Sequence, residues 1–165
     1  MTETVLIFDL DDCLFETTYY LITYGDSFYD CITFNPTLYN ILSSISQKKF
    51  IFTNANLSHA KKILQKLKII QFFEMIFSRD NLNCMKPSDT AFLKVNGGIS
   101  NHLKMNKYHV IFFEDNYNNL IQSTKYNWYT VWINNERATS KNKQIDFTFY
   151  SIIDALSFLN SNILN

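Results

Sequence analysis

A doubly wound, three-layer α/β fold with a parallel sheet of about five strands is predicted by three features of the chain. Five short apolar runs recur along it, helical patterns alternate with them, and polar clusters stand where several of the runs end. Continuous apolar runs suit strands covered on both faces, as in parallel sheets. Strand and helix in alternation imply right-handed crossovers that lay helices on both sides of the sheet. At 165 residues the chain fits one domain, large enough to bury well over half of its unfolded surface.

The first predicted strand is Val5 to Phe8, short, apolar and ended by Asp9. An aromatic-rich segment follows, with Tyr19, Tyr20, Tyr24, Phe28, Tyr29 and Phe34, and Gly25 as a turn. Such rings suit base stacking, a cover for a pocket or a subunit contact, and equally plain core packing. Phe50 to Phe52 reads as the second strand. Leu57 to Leu67 reads as a helix, with Ile63, Leu64 and Leu67 on one side, Lys61, Lys62, Gln65 and Lys66 mostly on the other, and Ser58 near its start. Met75 to Phe77 is a third strand. Pro87 suits the first turn of the next helix, which runs to Leu103 and is predicted to break at Asn96-Gly97-Gly98. Val110 to Phe113 and Tyr129 to Ile133 are the fourth and fifth strands, Asn134 to Lys143 a polar loop, and Ile152 to Leu159 a closing helix. No repeat, linker or second domain interrupts residues 1–165.

Composition narrows the function classes. Fifteen basic and fifteen acidic residues cancel, so no long-range field draws the chain to nucleic acid or to an anionic membrane. Three Gly and two Pro against 47% apolar residues argue against disorder. Cys13, Cys31 and Cys84 are too few and too scattered for a disulfide framework or a zinc site, and His59, His102 and His109 lack metal-site spacing. The opening residues, with a charge after only four apolar ones, match neither a signal peptide nor a membrane span. Reduced thiols and a cytoplasmic location are the expectation.

The polar clusters carry chemistry. Asp9 and Asp11 set two carboxylates at the rim of the first strand, where a hard cation such as Mg²⁺ finds oxygen ligands. Thr53 offers a hydroxyl and Asn54 a backbone N–H to phosphate oxygens, and Lys86 offers a cation. Glu114 and Asp115 follow the fourth strand. Taken singly, each has a structural explanation: Asp in a turn, Thr53-Asn54 as a helix cap, Lys86 as a solvated lysine. Taken together they supply what phosphoryl transfer needs: Asp9 as nucleophile, Asp11 as acid and then base, Thr53, Asn54 and Lys86 around the phosphate, and Asp115 as a further metal contact. Lysines 48, 49, 61, 62, 66 and 68 read as solvated faces.

These clusters resemble the motifs of the haloacid dehalogenase superfamily of Mg²⁺-dependent phosphatases, and within it the pyrimidine 5′-nucleotidase-like branch. Phe8-Asp9-Leu10-Asp11-Asp12-Cys13-Leu14-Phe15 is similar to the first motif, Phe52-Thr53-Asn54-Ala55 with His59-Ala60 to the second, Cys84-Met85-Lys86-Pro87 to the third, and Phe113-Glu114-Asp115-Asn116 with Asn119 to the fourth. The resemblance implies a Rossmann-like sheet, Asp9 as nucleophile and metal ligand, Asp11 as acid/base with its carbonyl on the metal, Asp115 as a ligand, and Glu114 as a ligand acting through water. Relatives in the branch insert a helical cap between the first two motifs. Here only residues 16 to 52 lie between them, so the chain is expected to be capless, with residues 16–34 as a short flap.

The reading is a phosphomonoester hydrolase acting through an aspartyl-phosphate, on a nucleoside monophosphate or on a phosphoprotein or nucleic acid end, with a homodimer through residues 19–34 as a way to roof the site. A receiver-type signalling domain uses similar residues, but its lysine comes last, whereas Lys86 precedes Glu114-Asp115. A binding protein that has lost the chemistry has no reason to keep Asp9, Asp11, Thr53, Lys86 and Asp115 together.

Overall fold

The computed structural model describes residues 2–134 and 144–164. Six strands form one sheet in the order β3-β2-β1-β4-β5-β6, every neighbour parallel. The strands are β1 (Glu3–Phe8), β2 (Lys48–Phe52), β3 (Phe73–Phe77), β4 (Tyr108–Glu114), β5 (Tyr129–Ile133) and β6 (Phe147–Phe149). The helices are α1 (Thr17–Tyr24), α2 (Phe28–Cys31), α3 (Pro36–Ser44), α4 (Leu57–Lys66), α5 (Arg79–Leu82), α6 (Asp89–Leu103), α7 (Tyr117–Thr124) and α8 (Ile152–Asn162). Among the described residues, no helix is long and apolar enough to cross a membrane.

The period of two along the strands splits the core. Leu6 and Phe8 of β1 point to the layer made by α2, α3, α4 and α8, with Leu38, Leu42, Ile63, Leu64 and Leu156 buried there. Val5 and Ile7 point to the layer of α5, α6 and α7, where Phe92, Val95, Ile99 and Leu120 pack with Trp128. Phe8 stacks on Phe113 across β1 and β4 at 4.6 Å between ring centroids. Truncating a buried phenylalanine of this kind to alanine costs about 3–5 kcal/mol. The two central strands are thereby held in register, and with them the residues at their ends.

Several boundaries differ from expectation for identifiable reasons. The sheet has a sixth strand: β6 is only three residues, continues the ladder from Val131↔Phe147 to Ile133↔Phe149, and has no alternation long enough to read. The cap of α4 is Asn56, whose side chain accepts from the His59 N–H, in place of Ser58. Pro87 lies ahead of α6, whose cap is Ser88. Asn96-Gly97-Gly98 does not interrupt α6, which runs unbroken from Asp89 to Leu103. Gly98 serves contact instead: a Cβ there would lie 2.6 Å from a carbon of the Phe77 ring, so only glycine lets the helix lie this close to the end of β3. Ile152 does open the closing helix, which extends to Asn162. Of the loop expected at Asn134 to Lys143, all but Asn134 lies outside the described residues.

Between β1 and β2 stand three short helices. α1 buries none of its residues, and Tyr19, Leu21, Ile22 and Tyr24 are exposed on it, while Phe28 of α2 is buried in the core. The aromatic segment is therefore divided between packing and surface.

Candidate active site

Chain order reverses direction beside β1, which has β2 on one side and β4 on the other. A crevice opens outside the carboxyl ends at such a point. Asp9 follows β1, Thr53 follows β2, and Glu114 and Asp115 lie at the end of β4. Residues more than a hundred positions apart thus share one rim. Asp9 N–H donates to the Phe113 carbonyl at 2.9 Å, and Thr53 N–H to the Phe77 carbonyl at 2.9 Å, so the strand ladders run into the site itself.

The turn after β1 is built by its own backbone. Leu14 N–H and Phe15 N–H both donate to the Leu10 carbonyl, and Asp12 N–H donates to Phe15. Asp12 sits at φ 59°, a left-handed conformation that aspartate tolerates better than most residues. Its carboxylate accepts from the Thr18 N–H and hydroxyl at the start of α1, and Asp9 and Asp11 are left on the site side.

Lys86 is the centre of the buried part. Its Nζ donates to Asp9 Oδ1 at 2.6 Å, to the Phe52 carbonyl at 2.6 Å and to Glu114 Oε2 at 2.8 Å. An ammonium has three protons, and all three are used. Burial alone would lower the lysine's pKa, but Asp9 and Glu114 outweigh it and hold the charge well above the ordinary lysine range. The solvated-lysine reading is thereby excluded. Asn54, expected to offer its backbone, also fixes this lysine: its Nδ2 donates to the Lys86 carbonyl at 3.0 Å, and its Oδ1 accepts from the Lys86 N–H at 2.8 Å.

Glu114 is fully engaged. Oε2 also accepts from Asn119 Nδ2 at 3.0 Å, and Oε1 accepts from the Asn116 N–H at 3.0 Å. Asn116 in turn caps α7. Asp115 is held through its backbone, with the Trp132 indole N–H on its carbonyl at 2.8 Å, so its side chain is not tied down by that bond. Thr53 is buried and accepts from the Ala55 N–H at 3.0 Å.

Asp11 stands apart from that cluster. Its Oδ1 accepts from Thr17 Oγ1 at 2.5 Å and from His59 Nε2 at 2.7 Å, and His59 Nδ1 meets the Tyr29 hydroxyl at 2.6 Å. A carboxylate can only accept, so Nε2 carries the hydrogen, and a neutral ring then accepts the Tyr29 O–H at Nδ1. Burial would raise Asp11, but the bonds from His59 and Thr17 prevail and hold its pKa below the usual carboxylate value. Thr17 and Tyr29 are additions to the site, while His59 was expected only as part of the second motif, with no role. The available signal was His59 five residues beyond Asn54, in the first turn of α4.

The acidic residues at the rim fit a hard cation. Asp9, Glu114 and Asp115 each place a carboxylate oxygen within 4.8 Å of the others. Burial and Glu114 raise Asp9 well above the ordinary range, and burial together with Glu114 pushes Asp115 up to about 7. Oxygen donors that repel one another this way are the donor set a divalent ion relieves. Asp115 binds a proton more tightly folded than unfolded, so its contribution to stability is full below the unfolded value of 3.8 and is lost as pH rises through about 7. Mg²⁺ is expected to raise the melting temperature more at about pH 8 than at about pH 5.5, where protons compete for the site. Thermal unfolding with Mg²⁺ and with a chelator checks this; equal shifts at both pH values would exclude the triad as the binding site.

A family model described as haloacid dehalogenase-like hydrolase matches residues 18–133. Solved structures share the fold at low identity. The L-2-haloacid dehalogenase of Xanthobacter autotrophicus with chloropropionic acid covalently bound is 12% identical, with 99% of this chain and 100% of that chain covered and a TM-score of 0.72. A protein assigned as a phosphoglycolate phosphatase from Lactobacillus plantarum is 14% identical, with 95% and 99% covered and a TM-score of 0.70. A protein described as the HAD-hydrolase YfnB from Bacillus subtilis, bound to magnesium, is 16% identical, with 97% and 100% covered and a TM-score of 0.63. No curated protein sequence matches the chain.

Proposed function

The chain belongs to the haloacid dehalogenase-like hydrolases, and from that membership we propose that it is an Mg²⁺-dependent phosphomonoesterase acting through Asp9. The observation that carries this reading is the contact of Lys86 Nζ with Asp9 and Glu114, next to the Asp115 carboxylate. One nucleophilic carboxylate, one buried cation and a set of hard-metal donors together suit a phosphate dianion.

In this reading an Asp9 oxygen attacks phosphorus and the bond to the leaving alcohol oxygen breaks, with that oxygen taking its proton from Asp11 in its protonated form, the minor one because the bonds from His59 and Thr17 favour the carboxylate. Asp11 then takes a proton from water, which attacks the aspartyl-phosphate and frees Asp9 and phosphate. Thr53 and the Asn54 N–H bind phosphate oxygens, and Lys86 balances charge on Asp9 in both steps. Mg²⁺, held by Asp9, Asp115 and the Asp11 carbonyl, would offset the repulsion between the Asp9 carboxylate and the phosphate. Glu114 is better suited to fixing Lys86 than to holding the ion, since its oxygens already accept three bonds.

Asp11 also separates this reading from dehalogenation. A halide leaves without a proton, so a haloacid would give Asp11 no work in the first step, whereas an alkoxide needs one. Nucleoside monophosphates and phosphorylated macromolecular ends are the substrate groups to compare, with residues 16–34 taking the place of a cap. Phosphate release is expected from members of such a panel in Mg²⁺, and acid-quenched enzyme is expected to carry phosphate on the peptide containing Asp9. Halide release from haloacids with no phosphate release from any ester would replace this reading.

A further inference from the structure

Two clefts flank the acidic rim, and among the described residues their charges are opposite. The larger, of about 1030 Å³, is lined among the described residues by Asp12, Glu16 and Asp115, with no lysine or arginine. The smaller, of about 490 Å³, is lined by Asp11, His59, Lys62 and Arg79, with Thr17 and Tyr29 in its wall. That size lies within the range of small-ligand sites, about 300–1,000 Å³.

The acid decides which cleft receives the leaving group. Asp11 lines only the smaller one, and a group must reach the leaving oxygen to protonate it. On the phosphatase reading above, then, the part of the substrate beyond phosphate extends toward Lys62 and Arg79. Both cations are exposed to this cleft and available to it. Lys62 Nζ lies 4.0 Å from the centre of the Tyr29 ring, and Tyr29 is itself fixed by His59, so the ammonium has a defined seat on that ring. Arg79 opens α5, tied to the loop after β2 by its N–H on the Ala55 carbonyl at 3.0 Å. Neighbouring acids are otherwise engaged: Asp30 with Lys66 at 3.2 Å, and Asp80 with Ser78 Oγ at 2.6 Å and the Leu57 N–H at 2.9 Å. Among the described residues, no carboxylate stands within ion-pair distance of Lys62 or Arg79.

We infer that the preferred substrates are phosphomonoesters whose leaving group carries a second anionic group, a phosphate or a carboxylate, which Lys62 and Arg79 receive. A monoester with an uncharged leaving group meets the same chemistry without this anchor.

Matched pairs test it. Phosphate release is measured for a nucleoside 3′,5′-bisphosphate against the 5′-monophosphate, and for phosphoglycolate against ethyl phosphate, so that the two pairs tell a second phosphate from a carboxylate. Wild-type enzyme is expected to favour the doubly anionic member of at least one pair by about tenfold or more in kcat/KM, the effect of one charge-assisted hydrogen bond. Lys62→Met with Arg79→Ala is expected to remove that preference, chiefly through KM, while changing the uncharged partner less than about twofold. Lys62→Arg in the Arg79→Ala background is expected to restore part of it. Equal loss on both members of each pair, or no wild-type preference in either pair, overturns the inference and leaves the phosphatase reading standing. Failure to release phosphate from all four esters in Mg²⁺ overturns the inference, and failure on phosphorylated macromolecular ends as well overturns the phosphatase reading.

Discussion

Asp9→Asn is expected to lower phosphomonoester turnover by about 10⁴-fold or more and, in the same protein without metal, to raise the melting temperature. The two effects have one cause. The Asp9 carboxylate is buried, with burial first and then Glu114 raising its pKa, and Lys86 only partly opposing them. Asparagine keeps an oxygen for the Lys86 ammonium and removes one of the mutually repelling charges. It also removes the nucleophile, for which an amide is no substitute. Because the folded carboxylate holds its proton more tightly than the unfolded one, its penalty is absent below the unfolded value of 3.8 and grows as pH rises. The stability gain of the variant should therefore widen from about pH 5 to about pH 8 and shrink when Mg²⁺ is added to both proteins. For a chain of this length each kcal/mol gained appears as about 2–4 °C. Calorimetry over pH, beside initial rates, checks both signs. A variant less stable than wild type at every pH would mean that the site is not under electrostatic strain.

The sheet was legible because parallel strands buried on two faces must be apolar throughout. All five strand-like runs lie within strands, from Val5 to Ile133, and Asp9, Thr53, Glu114 and Asp115 were readable because a strand end fixes a position on the rim. β6 escaped because three residues carry no period. Gly98 misled because glycine has two uses, to break a helix or to let something approach, and only the position of Phe77 tells which applies; Gly97 has open space beside it and nothing in the structure requires glycine there. Asn54 shows the same limit in the site. A backbone donor to phosphate can be expected from its place after the strand, but the bracing of Lys86 by its side chain depends on where the chain returns 32 residues later. The Asp11, His59 and Tyr29 chain joins the turn after β1 to side chains on α4 and α2, beyond the strand ends themselves, so strand-end reasoning had no access to it. The two clefts, opposite in charge among the described residues, likewise arise from packing, since the chain as a whole is neutral.

Lys86→Met is expected to be the most destabilising single change in the site, because it leaves Asp9 and Glu114 buried without their cation. Breaking a buried ion pair by removing one partner costs about 3–5 kcal/mol, a large share of the roughly 5–15 kcal/mol that holds a domain folded. Activity should fall by about 10²–10³-fold as well, the scale for one lost electrostatic contact to the reacting group. Lys86→Arg should not restore either quantity: the three protons of Nζ meet Asp9, Glu114 and the Phe52 carbonyl, and a planar guanidinium cannot point at three acceptors around one nitrogen. Glu114 is equally specific. It accepts on both oxygens, from Lys86 and Asn119 on one and from the Asn116 N–H on the other, whereas a glutamine in either orientation would set its NH₂ against a donor. Yet in the Lys86→Met background, Glu114→Gln removes an uncompensated charge, so the double variant should lose less stability than the sum of the two, with a coupling of about 0.5–3 kcal/mol. Denaturant unfolding of the four proteins measures that coupling directly. Strict additivity would show that Lys86 and Glu114 act separately, and the lysine would then have to be held in place by Asp9, Asn54 and the Phe52 carbonyl.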